Sequence, residues 1–186
     1  MNEKEKMLNG EYYKPFEDEQ LINDRIRIKD LCLKYNSIPS SQESERRSFI
    51  KQILGKTGEQ VCVESNFFCD YGYNIEVGEN FYMNHNCIIL DCAKVVFGDN
   101  VFIGPNCGFY TPIHPLDAKT RNTFIERAEP IRVGNNVWFG GRVSVLPGVT
   151  IGDNAVIGAG SVVVKDIPAG VLAVGNPCLP IKNIAQ

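Results

Sequence analysis

The chain has 186 residues, 22 Asp and Glu against 19 Lys and Arg, a net charge of -3, and 44% hydrophobic residues. That is room for one core and a small appendage, and it excludes both a disordered chain and a nucleic-acid binder held by a basic excess. No apolar run approaches the roughly 18 residues that cross a bilayer, and Met1 to Leu8 is charged where an export signal would be apolar, so the expected location is cytoplasmic, with no membrane or nucleic-acid partner.

In chain order, Met1 to Gly10 can form a short helix. Between Leu21 and Tyr35 the apolar positions Leu21, Ile22, Ile26, Leu31, Leu33 and Tyr35 interleave with charges, and neither Gly nor Pro occurs, which predicts a partly buried helix. Ser40, just after Pro39 and three residues before Glu43, forms a capping-box pattern that predicts another helix running toward Gly55. Residues 1–58 are thus read as a helical segment, and 59–186 as a second part with a different period.

Val133 to Pro168 divides without a gap into VGNNVW, FGGRVS, VLPGVT, IGDNAV, IGAGSV and VVKDIP. Each unit starts with Val, Ile or Phe and has Val, Ala, Ser or Ile at its fifth position. An earlier array runs VGENFY and MNHNCI from Val77, then FGDNVF at Phe97 and IGPNCG at Ile103. A period of six fits neither the helical 3.6 nor the simple strand period of 2. It predicts a parallel β-helix, an all-β fold in which each hexapeptide is one side and three sides make a coil. The aliphatic first residue points inward and stacks on its equivalent in the next coil, about 4.8 Å away. The seven cysteines include no C-x-x-C pair, so most of them are read as small buried hydrophobes rather than a disulfide or zinc framework. The phase breaks over residues 110–130, a long excursion with Pro-marked turns that contains His114, one of two histidines.

CDYGYNIEVGENFYMNHNCIILD, from Cys69 to Asp91, and GNNVWFGGRVSVLPGVTIGDNAVIGAGSVVVKDIPAGVLAVGNP, from Gly134 to Pro177, resemble the hexapeptide-repeat acetyltransferases, in the maltose and galactoside O-acetyltransferase branch. The helical segment before the coils is similar too. The resemblance implies a left-handed parallel β-helix and a homotrimer with active sites between subunits. It also implies metal-free transfer of acetyl from acetyl-CoA to a sugar hydroxyl by direct attack.

On the same resemblance His114 falls on the family's catalytic histidine. An alcohol needs a base as it attacks a thioester, and imidazole suits that role at neutral pH. Asn84 falls on an active-site asparagine whose amide contacts the reacting groups and the coenzyme, and Gly141 on a backbone N–H aimed at the oxyanion. Glu126 is a candidate to accept the second ring N–H of His114, or else a solvated loop carboxylate. Asp70 and Asp91 look like acceptor-binding positions, or charges capping a coil corner. Ala159, Val164, Lys165 and Lys182 match coenzyme-contacting positions. Trp138 packs beside the coenzyme or at an interface, and His85 is read as an outer-surface or subunit-contact side chain.

By the same resemblance, galactoside members carry two successive acids where this chain has Asp91 and Cys92, and an acceptor contact of that branch falls near Pro15. Both departures point away from galactosides and toward maltose- or glucose-like acceptors. Competing readings are a xenobiotic acetyltransferase acting on antibiotic hydroxyls, a non-catalytic β-helix scaffold, and a β-helical zinc hydratase, which would need three imidazoles where one chain has two.

Overall fold

The computed structural model describes residues 1–184. Three helices lead the chain: α1 (Glu3–Leu8), α2 (Glu19–Ser37) and α3 (Glu43–Ile53). Asn2 and Glu5 form a reciprocal capping box that starts α1, and the Asp18 carboxylate caps α2 through Leu21 N–H. Gln42, not Ser40, stands at the cap of α3, and no side chain bonds the helix N-terminus there, so the predicted capping box is absent although the helix forms. Amphipathic burial suffices to hold it: Arg46, Ile50 and Ile53 face inward. Helix α2 is partly buried, as its pattern predicts: Leu21, Ile28, Cys32 and Tyr35 are buried, while Ile26 and Leu33 lie on its exposed side.

From Val61 onward the chain winds into a parallel β-helix with three faces. Face one stacks Val61–Val63, Phe81–Met83, Phe102–Ile103, Trp138–Phe139, Val156–Ile157 and Val171–Val174 in parallel. Face two stacks Phe68–Cys69, Ile88–Leu90, Gly108–Tyr110, Ser144–Val145 and Val162–Val163. Face three stacks Ile75–Val77, Val95–Phe97, Ile131–Val133 and Thr150–Ile151. Registers connect equivalent hexapeptide positions; Ile131 lies beside Val95, and Trp138 beside Phe102.

The first and fifth residues of the hexapeptides are the ones turned inward. Val133, Val137, Phe139, Val143, Val145, Val149, Ile151, Ala155, Ile157 and Ser161 are all buried. Phe81, Phe97, Phe109 and Phe139 stack through the interior at centroid separations of 5.2, 5.0 and 5.4 Å. Each such ring contributes about 1.5–3 kcal/mol by leaving water. Cys32, Cys69, Cys87, Cys92, Cys107 and Cys178 are buried as free thiols.

Asparagine shapes the corners. Asn80, Asn100, Asn136 and Asn154 take left-handed φ of 54–59° and stack at the corner between faces three and one. Their side-chain amides form a ladder at 3.0 Å per step. Asn tolerates this backbone region better than other non-glycine residues. Gly140 serves a different need, because a Cβ there would meet Ala159 N at 2.5 Å.

The ends are closed. Buried Ile28, Cys32, Tyr35, Ile50, Ile53 and Leu54 of the helical segment join the same core as Val61 and Val63. At the other end Leu179–Asn183 folds back antiparallel on Val171–Val174. Capping both ends keeps unpaired strand edges from recruiting other chains. Among the described residues no helix is long and apolar enough to cross a membrane.

Candidate active site

The expected site residues fall on two edges of the prism. Where face one turns into face two lie Asn84, Gly141 and Ala159, each just after a face-one strand in the second, fourth and fifth coils. Where face two turns into face three lie Asp70, Asp91, the excursion carrying His114, and then Val164 and Lys165. The two edges are separated by the width of face two, so one chain holds Asn84 and His114 on opposite margins of that face.

The excursion is ordered. Pro112–Ile113 pairs antiparallel with Arg127–Ala128, and a short helix, Ala118–Arg121, sits between them with Asp117 as its cap. This hairpin holds His114 against Glu126, with Nε2 3.7 Å from Oε2. The His114 side chain is 55% exposed and that of Glu126 only 11%. At 3.7 Å the pair exceeds hydrogen-bond reach, so the expected ring N–H donation to Glu126 is replaced by an ion-pair separation. Glu126 can then stabilise an imidazolium by charge rather than by fixing a tautomer.

Glu126 is itself fixed from the N-terminal segment. Tyr13, fully buried, donates its hydroxyl to Glu126 Oε1. The two backbones also pair, Tyr13 N–H to Glu126 O at 2.8 Å and Glu126 N–H to Tyr13 O at 3.0 Å. Burial pushes the Glu126 carboxyl above the usual range, opposed by the Tyr13 hydrogen bond and the neighbouring His114. Phe16, His114, Arg121, Asn122, Phe124 and Glu126 line one open cleft.

Asp70 and Asp91 part company. Asp70 is partly exposed beside that cluster, touched by Cys92 Sγ at 3.7 Å, and burial raises its pKa while the nearby Arg25 opposes the rise. Asp91 is fully buried. Its Oδ1 accepts the N–H groups of Asp70 at 3.0 Å and Tyr71 at 2.9 Å, and its Oδ2 that of Asn74 at 3.3 Å. The expectation that Asp91 binds the acceptor is therefore corrected: its lone pairs are spent on the backbone of the coil beneath. Desolvation pushes its pKa up to about 7 despite those donors, with Asp70 adding repulsion.

On the other edge, Asn84 Oδ1 accepts His85 N–H at 2.7 Å, and its side-chain NH2 has no acceptor among the described residues. The N–H groups of Gly141 and Ala159, equivalent corner positions one coil apart, likewise have no acceptor among them. Three coils separate Asn84 from Ala159, a rise of about 14 Å along the prism, so unpaired donors line an extended strip. Val164 and Lys165 are exposed on the second edge, and Lys182 is exposed on the terminal strand opposite Leu172. Trp138 stands 56% exposed on face one, between Phe102 and Val156. His85 is exposed at its corner. Pro15 is buried, and its carbonyl accepts from Arg25 at 2.7 Å.

Sequence reasoning missed Tyr13, Phe16, Arg25 and Phe124. All but Phe124 come from the helical segment, far from the excursion in sequence, and no periodicity marks them. Among the described residues, no three His, Cys, Asp or Glu side chains of one chain gather as a metal cage.

Comparison with known proteins adds the following. Residues 6–58 match the model of the maltose acetyltransferase hexapeptide capping motif, and residues 130–165 that of the bacterial transferase hexapeptide, six repeats. A Saccharomyces cerevisiae protein bearing only the name of an acetyltransferase is 47% identical over 182 residues, 98% of this chain and 93% of its own length. A maltose O-acetyltransferase from Clostridium difficile 630 superposes with a TM-score of 0.97 at 50% identity, covering 100% of this chain and 99% of the other. A galactoside acetyltransferase in complex with coenzyme A superposes at 0.95 with 42% identity, covering 100% and 92%. The coils accordingly wind left-handed, as the resemblance implied.

Proposed function

The chain belongs to the hexapeptide-repeat acetyltransferases, and from that premise we propose that it moves the acetyl group of acetyl-CoA onto a hydroxyl of a maltose- or glucose-like sugar, with His114 as general base. The observation that carries this reading is the pairing of an exposed imidazole with a buried carboxylate in an open cleft, on the one segment that breaks the repeat. A scaffold would have no use for that break.

In this reading the sugar oxygen attacks the thioester carbonyl as His114 takes its proton, and the carbon–oxygen bond forms. Glu126, held by Tyr13, offsets the positive charge that His114 gains. The carbonyl oxygen becomes an oxyanion, for which Gly141 N–H and the Asn84 amide are the available donors. Collapse breaks the carbon–sulfur bond, and the imidazolium returns its proton to the leaving thiolate. One chain presents the base and the donors on different edges, which supports a homotrimer in which His114 of one subunit faces Asn84 and Gly141 of the next. The coenzyme would run along the strip from Asn84 past Gly141 to Ala159, with Val164, Lys165 and Lys182 at its phosphate-bearing end. Asp70 is kept as an acceptor contact. The two family members solved with coenzyme A and with acetyl coenzyme A support the donor assignment.

The test is release of free thiol from acetyl-CoA by the purified protein, screened against maltose, glucose, galactosides and hydroxyl-bearing antibiotics. Turnover with maltose or glucose above all others is expected. Turnover with antibiotics alone, or with no hydroxyl compound, would overturn the sugar reading.

A further inference from the structure

Phe124 is the sole non-glycine residue of the excursion with left-handed φ, at 60°, whereas the other residues of this kind among those described sit at coil corners and are Asn or, once, Arg. A bulky side chain in this region is strained, and such strain persists where the surroundings impose it or a function uses it. The strain here aims a ring at the cleft. Phe124 is 67% exposed and Phe16 63% exposed, and they meet edge to face at 5.9 Å with an interplanar angle of 89°.

Phe16 is braced from its other side. The Arg25 guanidinium lies 5.1 Å from its ring centre, and that guanidinium is anchored to Pro15 O at 2.7 Å and Tyr71 Oη at 3.0 Å. Two exposed aromatic rings at right angles, one braced and one strained, thus form an apolar corner in the same cleft as His114, Glu126, Arg121 and Asn122. Ordinary surface rings need no such bracing.

We infer that Phe16 and Phe124 form the acceptor subsite, which takes the C–H face of a pyranose ring while the polar groups around it engage the equatorial hydroxyls. The chemistry fits: a pyranoside presents an apolar face and a polar rim, and recognition sites are commonly apolar walls with a few placed polar groups. The inference rests on the acceptor side of the proposed function, yet it can be read without turnover. It also assigns Phe124 a role that the hexapeptide pattern cannot reach.

The experiment is saturation-transfer NMR of maltose with the wild-type protein, Phe124→Gly and Phe16→Ala. Gly suits the left-handed φ, so Phe124→Gly should melt no lower than wild type while losing the ring. Strong transfer to the pyranose C–H protons is expected in the wild type. It should fall about fivefold or more in each variant, with a rise of about tenfold in acceptor KM and no change in acetyl-CoA KM, because only the wall that meets the sugar is gone. Equal transfer in wild type and Phe124→Gly, or none to wild type, overturns the subsite. Transfer through these rings without any acetyl turnover would leave the subsite standing and reject the sugar acetylation reading instead.

Discussion

Replacing Asp91 by Asn separates a structural carboxylate from an acceptor-binding one. In the wild type, Oδ1 holds two backbone N–H groups at 3.0 and 2.9 Å and Oδ2 holds a third at 3.3 Å. An amide can keep the first two, but its NH2 then faces Asn74 N–H, donor against donor. One buried hydrogen bond is lost and one donor left unsatisfied, about 2 kcal/mol in all. For a chain of this size that lowers Tm by about 4–8 °C. The loss should depend on pH, and its sign follows from burial. The carboxyl ionises near pH 3.9 in an unfolded chain and at about 7 in the fold, so between these values the folded state holds the extra proton. Wild-type stability from this group is therefore fully present below about pH 3.9, falls steadily between there and 7, and is lost above 7, by up to about 4 kcal/mol. The variant has no such loss. Its Tm deficit should be fullest at pH 4, because about 1.5 kcal/mol of the wild-type advantage is already gone by pH 5, and it should vanish or reverse by pH 8, with acceptor KM unchanged within about twofold at either pH, since the carboxylate does not face the cleft. Calorimetry at the two pH values and an acceptor titration check this. An unchanged Tm with a raised acceptor KM would refute the structural assignment and return Asp91 to the acceptor.

Two further outcomes are expected. Tyr13→Phe removes the hydrogen bond that favours ionised Glu126, so the Glu126 pKa should rise further and kcat fall about tenfold, most at acid pH, with acetyl-CoA KM unchanged; a pH profile of kcat checks it, and an equal loss at every pH would mark Tyr13 as merely structural. Co-expressed Asn84→Ala and His114→Ala chains, each inactive alone, should regain about a quarter of wild-type activity if each site draws on two subunits; turnover of the mixed trimers decides, and no recovery would place both residues in one chain's site.

Much of this architecture can be read from spacing. The aliphatic first residue and small fifth residue of each hexapeptide anticipate the interior, from Val133 through Ser161, because both positions alternate inward on every face. That parity lapses at the corners and in the excursion. Asp91 sits at such a corner, where neither burial nor partner follows from its place in the repeat, so a residue that resembles an acceptor contact is in fact a backbone tie. The Tyr13–Glu126 and Phe16–Phe124 pairs are invisible for another reason. Each joins the helical segment to the excursion across most of the sequence, and only the packing of one on the other brings them into register. The helix at Glu43 is anticipated by a capping-box pattern that the structure lacks: Gln42 stands at its start, Ser40 sits too early to reach the first turn, and burial of Arg46, Ile50 and Ile53 holds the helix instead.

The most direct measurement is kcat for acetyl transfer to maltose by His114→Ala beside the wild type, with circular dichroism and sedimentation confirming an unaltered fold and assembly. A fall of about 100-fold to 10,000-fold is predicted, the span that a positioned general base supplies. A variant that keeps its rate within about threefold would contradict general-base catalysis by this imidazole.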